Sequence, residues 1–211
     1  KKSLSKNTFA NPEIRLIMME QFVKKKELIK DEKTWQEIKE LIISEMKKSI
    51  KEHPKDVRYL IYLGQFYNFI NQPDEAEEVL NQAKKLSPKR QQIYFNLVDS
   101  KMLKGEKEEA LKIAKEAVNL DQEVGEARKI LAYAYFKNND FENGILELEE
   151  AEKRMDVYTD TELTLYFSLS CFKAGNLEKA IKIAEIAKWR DPQNASVYAH
   201  LAGLYKEVGE K

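Results

Sequence analysis

Apolar and small residues recur along this chain of 211 residues at an interval of 34 positions from Val57 onward. In each interval an apolar residue directly precedes a smaller one. The apolar positions are Leu63, Leu97, Leu131, Phe167 and Leu201, and the positions after them are Gly64, Val98, Ala132, Ser168 and Ala202. Repeats of this length are typical of stacked structural units that bury a continuous core between neighbours. The pattern therefore predicts a helical repeat protein.

Each interval also contains the landmarks of two short helices joined by a turn. Small residues mark the second helix at Ala76, Ala110, Gly144 and Ala180, and again at Ala83, Ala117, Ala151 and Ala187. Such residues let neighbouring helices approach closely. The turns fall at Asn71, Gly105, Asn139, Gly175 and Gly209, which are residue types that tolerate a left-handed backbone. A two-residue insertion near Thr159 and Asp160 accounts for the one interval of 36.

The expected fold class is all-α, an α-solenoid of eleven helices without a sheet. Residues 1–11 are polar, and residues 12–56 form a divergent capping pair whose first helix should begin at Pro12 after an Asn11 cap. The array covers residues 57–211, with units at 57–90, 91–124, 125–158 and 161–194 and a partial unit at 195–211. Its helices are expected near 57–70, 74–86, 91–104, 106–120, 125–137, 141–155, 161–174, 177–190 and 195–208. We count one elongated domain, and from the missing initial methionine and the unfinished last unit we expect a segment of a longer protein.

Charge and apolar content restrict the function further. The 36 basic and 36 acidic side chains cancel, so no overall field or basic stripe favours nucleic acid. No apolar run approaches the roughly 18–20 residues that a membrane-spanning helix needs, so this segment is not expected to insert into a membrane. Cys171 has no partner for an intrachain disulfide, which fits a reducing compartment. The compartment stays open at this point, and the cytoplasm or its membrane surface is the favoured location.

The sequence offers little for catalysis. His53 and His200 lie far apart, and neither a metal-binding spacing nor a glycine-rich phosphate loop is present. His53 is expected in an exposed turn, and His200 is a candidate for the binding face. We expect no catalytic residue, no metal and no cofactor, and a protein that is not an enzyme.

The succession of Leu63-Gly64, Tyr67, Ala76, Leu80, Ala83 and Pro88 resembles the tetratricopeptide repeat (TPR). Lys101 departs from this pattern, because it stands where other units have Tyr67, Tyr135, Cys171 and Tyr205. In TPR proteins the first helix of each unit lines a concave face. The resemblance thus implies a protein-protein interaction scaffold that binds a peptide, a helix or a protein surface in a groove.

By that resemblance the groove is rich in aromatic side chains, which are typical anchors of binding interfaces. The candidate peptide-binding residues are Tyr62, Gln65, Phe69, Phe95, Asn96, Lys129, Tyr133, Phe136, Lys137, Tyr166, Leu169 and Phe172. We centre the groove on Tyr133, Phe136, Tyr166 and Phe172, with Lys129, Lys137 and Lys173 as a cationic rim. The alternative for each aromatic residue is that it packs as core against a neighbouring helix.

Two further resemblances bear on the partner. One TPR subset grips the carboxylates of a chaperone tail with Lys, Asn and Arg, but the matching positions here carry Ile61, Gln65, Asn96, Glu126 and Ile130. Only Asn96 fits, so that clamp is not expected. The stretches Phe9–Leu16 and Ser87–Phe95 look like the TPR tails of bacterial O-antigen ligase or polymerase membrane proteins. The alternative function is therefore a soluble C-terminal TPR domain tethered to such a membrane-embedded host chain.

Overall fold

The computed structural model describes residues 31–209, together with residues 17, 19, 21–23 and 29. No β-strand occurs in these ranges, which confirms the all-α class. The helices are α1 (Glu32–Glu52), α2 (Val57–Phe69), α3 (Pro73–Leu86), α4 (Gln91–Leu103), α5 (Lys107–Leu120), α6 (Gly125–Lys137), α7 (Phe141–Glu152), α8 (Thr161–Lys173), α9 (Leu177–Arg190) and α10 (Ala195–Gly209). The predicted helix start at Pro12 lies outside the described residues.

The helices of the repeats begin within one residue of their predicted starts, and at four of them a side chain before the helix fixes the start. Asp56, Asp140, Asp160 and Asn176 each accept a hydrogen bond from a backbone N–H in the first turn of the next helix. Each such cap stabilises its helix by about 1 kcal/mol relative to alanine. No described helix combines the length and the apolar character that crossing a membrane requires.

Four of the five predicted left-handed turns are confirmed. Asn71 and Asn139 have φ of 60°, and Gly105 and Gly175 have φ of 76° and 79°. The residue after each turn donates its N–H to a carbonyl five positions back, as in Gln72 N to Tyr67 O at 2.8 Å. This bond caps the first helix and reverses the chain into the second helix. The prediction for Gly209 is wrong, because α10 continues through that residue instead of ending two residues earlier as the other first helices do.

The chain divides into two compact units, residues 1–106 and 107–211, which we call unit 1 and unit 2. In unit 1, α2 packs against α3 through the predicted small residue. A Cβ atom on Gly64 would lie 2.5 Å from Leu80 Cγ, so only glycine leaves room for that side chain. Ala76, Leu80 and Ala83 are fully buried in the same interface. Aromatic packing of Trp35 on Phe69, with ring centroids 6.5 Å apart, joins α1 to α2.

The departure at Lys101 has a structural reason in unit 1. Its side chain is only 13% exposed, and its Nζ lies 2.8 Å from a Glu77 oxygen and 2.6 Å from a Glu106 oxygen. Lys104 adds bonds to Glu77 and Asp74 at 3.0 and 2.9 Å. These bonds lower the pKa of Glu77, although burial opposes them, so the carboxylate stays charged. A network of ion pairs thus occupies the place that a tyrosine or, in one unit, a cysteine fills elsewhere.

In unit 2 the core contains Phe136, Phe167, Leu148 and Cys171, which are at most 2% exposed. Burial raises the pKa of the Cys171 thiol to about 11. The residues just before the two-residue insertion contribute to this core, because Val157 and Tyr158 are also buried.

The Tyr158 hydroxyl donates to the Glu152 carboxylate. Lys179 Nζ lies 3.1 Å from the other Glu152 oxygen and 3.2 Å from Glu149. The segment between α7 and α8 therefore adds two side chains to the core, and its buried hydroxyl group is hydrogen-bonded.

Candidate functional site

Unit 1 contains a cleft of about 400 Å³ beside α2. The predicted groove residues Tyr62, Gln65 and Phe69 line it together, spaced by three and four residues on one helical face. The remaining lining residues are Met19, Val23, Phe66 and Gln92. Sequence reasoning missed Met19 and Val23, because the N-terminal stretch does not follow the repeat register. It also missed Gln92, although that residue lies one turn before Phe95.

The structure corrects the expectation for Asn96, which is only 6% exposed. Its side-chain amide donates to Gln92 O at 2.8 Å, and its backbone carbonyl accepts from Asn68 Nδ2 at 2.8 Å. Ser100 Oγ donates to Asn68 Oδ1 at 2.8 Å. Asn96 therefore belongs to a polar contact between α4 and α2 and is buried there, away from the surface of the cleft. Phe95 beside it is half-buried.

The structure also corrects the expectation for Phe136, which is 2% exposed. Its ring lies against Gly144 of α7, where a Cβ atom would overlap it, and 5.9 Å from the Phe167 ring. Because Gly144 has no side chain, the Phe136 ring has room to pack between the helices. Phe136 is thus a core residue, as the alternative interpretation of the aromatic positions allowed.

The other predicted residues of unit 2 form a surface that we call the tyrosine–lysine surface: Tyr133 and Lys137 of α6, and Tyr166, Leu169 and Phe172 of α8. The Tyr133 and Tyr166 rings meet edge to face at 5.4 Å and 62°. Lys137 Nζ lies 5.1 Å from the Tyr133 centroid and 4.4 Å from the Tyr166 centroid. Tyr133, Tyr166 and Phe172 are half-buried, and Leu169 is 37% exposed. Such a mixture of partly exposed rings and a cation is suited to contact with a ligand.

The lysines of the predicted rim differ in their surroundings. Lys129 has a side chain that is 12% exposed and an Nζ 2.8 Å from Glu126, so its charge is already compensated. Burial lowers the pKa of Lys137, and the nearby charges of Lys107 and Lys173 lower it further. Burial also raises the pKa of Tyr166, which keeps its hydroxyl neutral. Lys137 and Lys173 therefore carry positive charges without an ion-pair partner in the described residues, as does Lys107, which sequence reasoning missed.

A serine and a histidine meet in unit 2, but not as a nucleophile and base. Ser168 Oγ lies 2.8 Å from His200 Nε2 and donates its only hydrogen to Ala180 O at 2.7 Å. His200 Nε2 must therefore carry a hydrogen and donate it to Ser168. Ser168 is fully buried and cannot meet a substrate. The pair fixes α10 against the helices before it, and no group of three or more His, Cys, Asp or Glu side chains in the described ranges could hold a metal.

The partial burial of His200 should make the stability of the protein sensitive to pH. Burial lowers the pKa of His200 below its usual 6.5, so the unfolded chain binds a proton more readily than the folded chain. The stabilisation from the neutral ring is complete above pH 6.5 and is lost as the pH falls through the lowered pKa. In His200→Gln the amide still donates to Ser168 but does not titrate. Urea midpoints at about pH 7.5 and about pH 5.5 should fall further for the parent than for the variant, and equal falls would contradict this role of His200.

The helix pairs, their left-handed turns and their small-residue interfaces define a helical repeat fold of the tetratricopeptide class. The family model for the tetratricopeptide repeat matches residues 57–90 and 91–124. These residues therefore form two recognisable TPR motifs within the longer array. No protein with a curated description matches the chain.

Solved structures of similar fold cover most of the chain. A thermophilic TPR protein of Thermus thermophilus, TTC0263, superposes with a TM-score of 0.68 at 15% identity, over 90% of this chain and 98% of that one. YrrB, a TPR protein with an unusual peptide-binding site, gives 0.60 at 19% identity, over 79% and 84%. MamA from Desulfovibrio magneticus RS-1 gives 0.61 at 12% identity, over 88% and 97%. These likenesses establish the TPR fold, and they give no support to a relation with O-antigen ligases.

Proposed function

We propose that this protein is a non-enzymatic scaffold that binds a segment of a partner protein on the faces of its first helices. The observation that carries the proposal is the tyrosine–lysine surface, where Tyr133 and Tyr166 meet at 5.4 Å yet remain partly exposed. Aromatic rings fixed by their neighbours lose little conformational freedom on binding and contribute strongly to interfaces. Leu169 and Phe172 extend the apolar area along the same face of α8.

The cleft of unit 1 supports the same function independently. Tyr62, Phe66 and Phe69 provide an apolar lining, and Gln65 and Gln92 bring amide groups to its edge. A volume of about 400 Å³ falls within the range of pockets that enclose small ligands or side chains. Amide groups at the edge can bond to the backbone of an extended peptide. YrrB, which shares the fold, is described as having a peptide-binding site.

Replacing Tyr166 with Ala should weaken binding of a partner by about 1–3 kcal/mol, or about 5- to 150-fold in Kd. The reason is that the variant loses a ring held at a fixed angle against Tyr133. A partner is first identified by pull-down with the parent protein, and its Kd is then measured by calorimetry for parent and variant.

The matched control is Trp189→Ala, which removes an aromatic ring that is 78% exposed on α9. Circular dichroism of both variants is recorded first, to check that they remain folded. If Tyr166→Ala binds as tightly as the parent while Trp189→Ala abolishes binding, the second-helix face is the site and the proposal fails.

A further inference from the structure

In the described part of the chain, Lys137 lacks the carboxylate partner that other covered lysines have. Lys101, Lys129 and Lys179 have side chains that are 12–14% exposed, and each lies within 3.2 Å of a glutamate oxygen. Lys137 is also partly buried, but its near contacts are the Tyr133 and Tyr166 rings. The charges that act on it are those of Lys107 and Lys173. Lys137 thus lies over two tyrosine rings and is repelled by two further lysines, and no described carboxylate compensates it.

The positive charge of Lys137 is not balanced by a nearby negative charge among the described residues of the free protein. Taking an ammonium group partly out of water costs free energy, and two like charges nearby add to that cost. The two tyrosine rings offset part of it through cation–π attraction, but a ring carries no net charge. A carboxylate placed beside Lys137 would supply the missing negative charge and offset the repulsion from Lys107 and Lys173. The surface therefore favours an anionic ligand more than its apolar area alone would indicate.

We infer that this surface recognises an acidic peptide segment in which Asp or Glu residues flank an aromatic or branched apolar side chain. The inference rests on the proposed function and names the chemistry of its ligand. One carboxylate docks at Lys137, while the apolar side chain packs against Tyr166 and Leu169. Nucleic acid fits less well, because the net charge is zero and an extended phosphate backbone requires a longer basic stripe.

The test uses the full chain and two acetylated, amidated, dye-labelled peptides of sequence EEFEE and QQFQQ. The two peptides share their apolar residue and differ in charge. Fluorescence anisotropy should show the glutamate peptide binding at least about tenfold more tightly at low salt. Equal binding of the two peptides, or binding of neither, overturns the inference.

The Lys137→Met variant locates the effect, because methionine keeps an unbranched apolar side chain beside the two rings. It should weaken the glutamate peptide about fivefold or more and weaken the glutamine peptide much less. Lys137→Arg should restore most of the affinity. The charge-matched control is Lys112→Met, which removes a lysine whose side chain is 66% exposed on α5 and should have no effect. Equal losses from Lys137→Met and Lys112→Met would show that only net charge matters, which overturns the assigned site.

A direct readout is the titration of Lys137 by NMR of its side-chain carbons. Saturation with the glutamate peptide should raise the Lys137 pKa, since a carboxylate favours the charged ammonium. An unchanged titration with the peptide bound contradicts contact at this lysine. If Tyr166→Ala weakens both peptides equally and charge has no influence, the binding face stands and its acidic specificity is wrong. If neither Tyr166→Ala nor Lys137→Met changes any affinity, the proposed function at this surface fails as well.

Discussion

Replacing Phe136 with Ala should lower the free energy of unfolding by about 3–5 kcal/mol, the usual cost of removing a buried phenyl ring. The ring is 2% exposed, lies against Gly144 and packs 5.9 Å from the Phe167 ring. Its removal leaves a cavity between α6, α7 and α8 that alanine cannot fill. Urea unfolding followed by circular dichroism measures the change.

The control for this variant is Trp189→Ala in the same unit, whose ring is 78% exposed. That substitution should change the free energy of unfolding by no more than about 0.5 kcal/mol. Tyr133→Ala gives a second comparison, since Tyr133 is half-buried and lies three residues before Phe136. If Phe136→Ala unfolds at the same urea concentration as the parent, Phe136 is a surface residue after all.

The second large effect is expected at the contact between Gly64 and Leu80 in unit 1. Leu80 is fully buried, so Leu80→Ala should cost about 2–5 kcal/mol. Gly64→Ala should cost about 1–3 kcal/mol, because the new methyl group would lie 2.5 Å from Leu80 Cγ and 2.7 Å from Cδ2. The double variant should lose clearly less than the sum of the two, since alanine at position 64 enters the space that leucine leaves.

Urea midpoints of the four proteins form a double-mutant cycle that measures this coupling. Residues in contact typically couple by about 0.5–3 kcal/mol. The cycle is informative because each single change acts through the same few atoms of Leu80. Strict additivity would mean that positions 64 and 80 do not share a contact, and the packing of α2 on α3 would have to be revised.

The repeat register could be predicted from the sequence because it depends on residue types with few alternatives. Small residues such as Gly64 and Gly144 fall where two helices approach closely, and Asn71 and Gly105 fall where the backbone needs a left-handed conformation. Local steric requirements determine these positions, and each requirement recurs once per repeat. The same residue types therefore reappear every 34 positions in the sequence. Gly209 was misassigned because glycine permits a left-handed conformation but does not impose one.

The binding face was harder to predict because exposure depends on neighbouring helices. Tyr133 and Phe136 occupy similar faces of α6, yet only Phe136 lies opposite the glycine at position 144, where the absent side chain leaves room for its ring in the core. Asn96 matched a ligand-binding residue type, but Asn68 and Gln92 determine its actual bonds. The sequence likewise showed that Lys101 departs from the pattern without indicating Glu77 as its partner. Such pairings join residues that are distant along the chain, and no periodicity shows them.

The burial of Cys171 makes the folded protein convenient for site-specific fluorescent labelling. It is the one cysteine of the chain, and its pKa of about 11 keeps it in the protonated form, which reacts poorly with alkylating reagents. A cysteine introduced by Leu169→Cys would then be the one thiol that a maleimide dye reaches under native conditions. The dye would sit beside Tyr166 and report ligand arrival directly. Reaction at Cys171 itself would begin only when unit 2 opens, so the same reagent would time its unfolding.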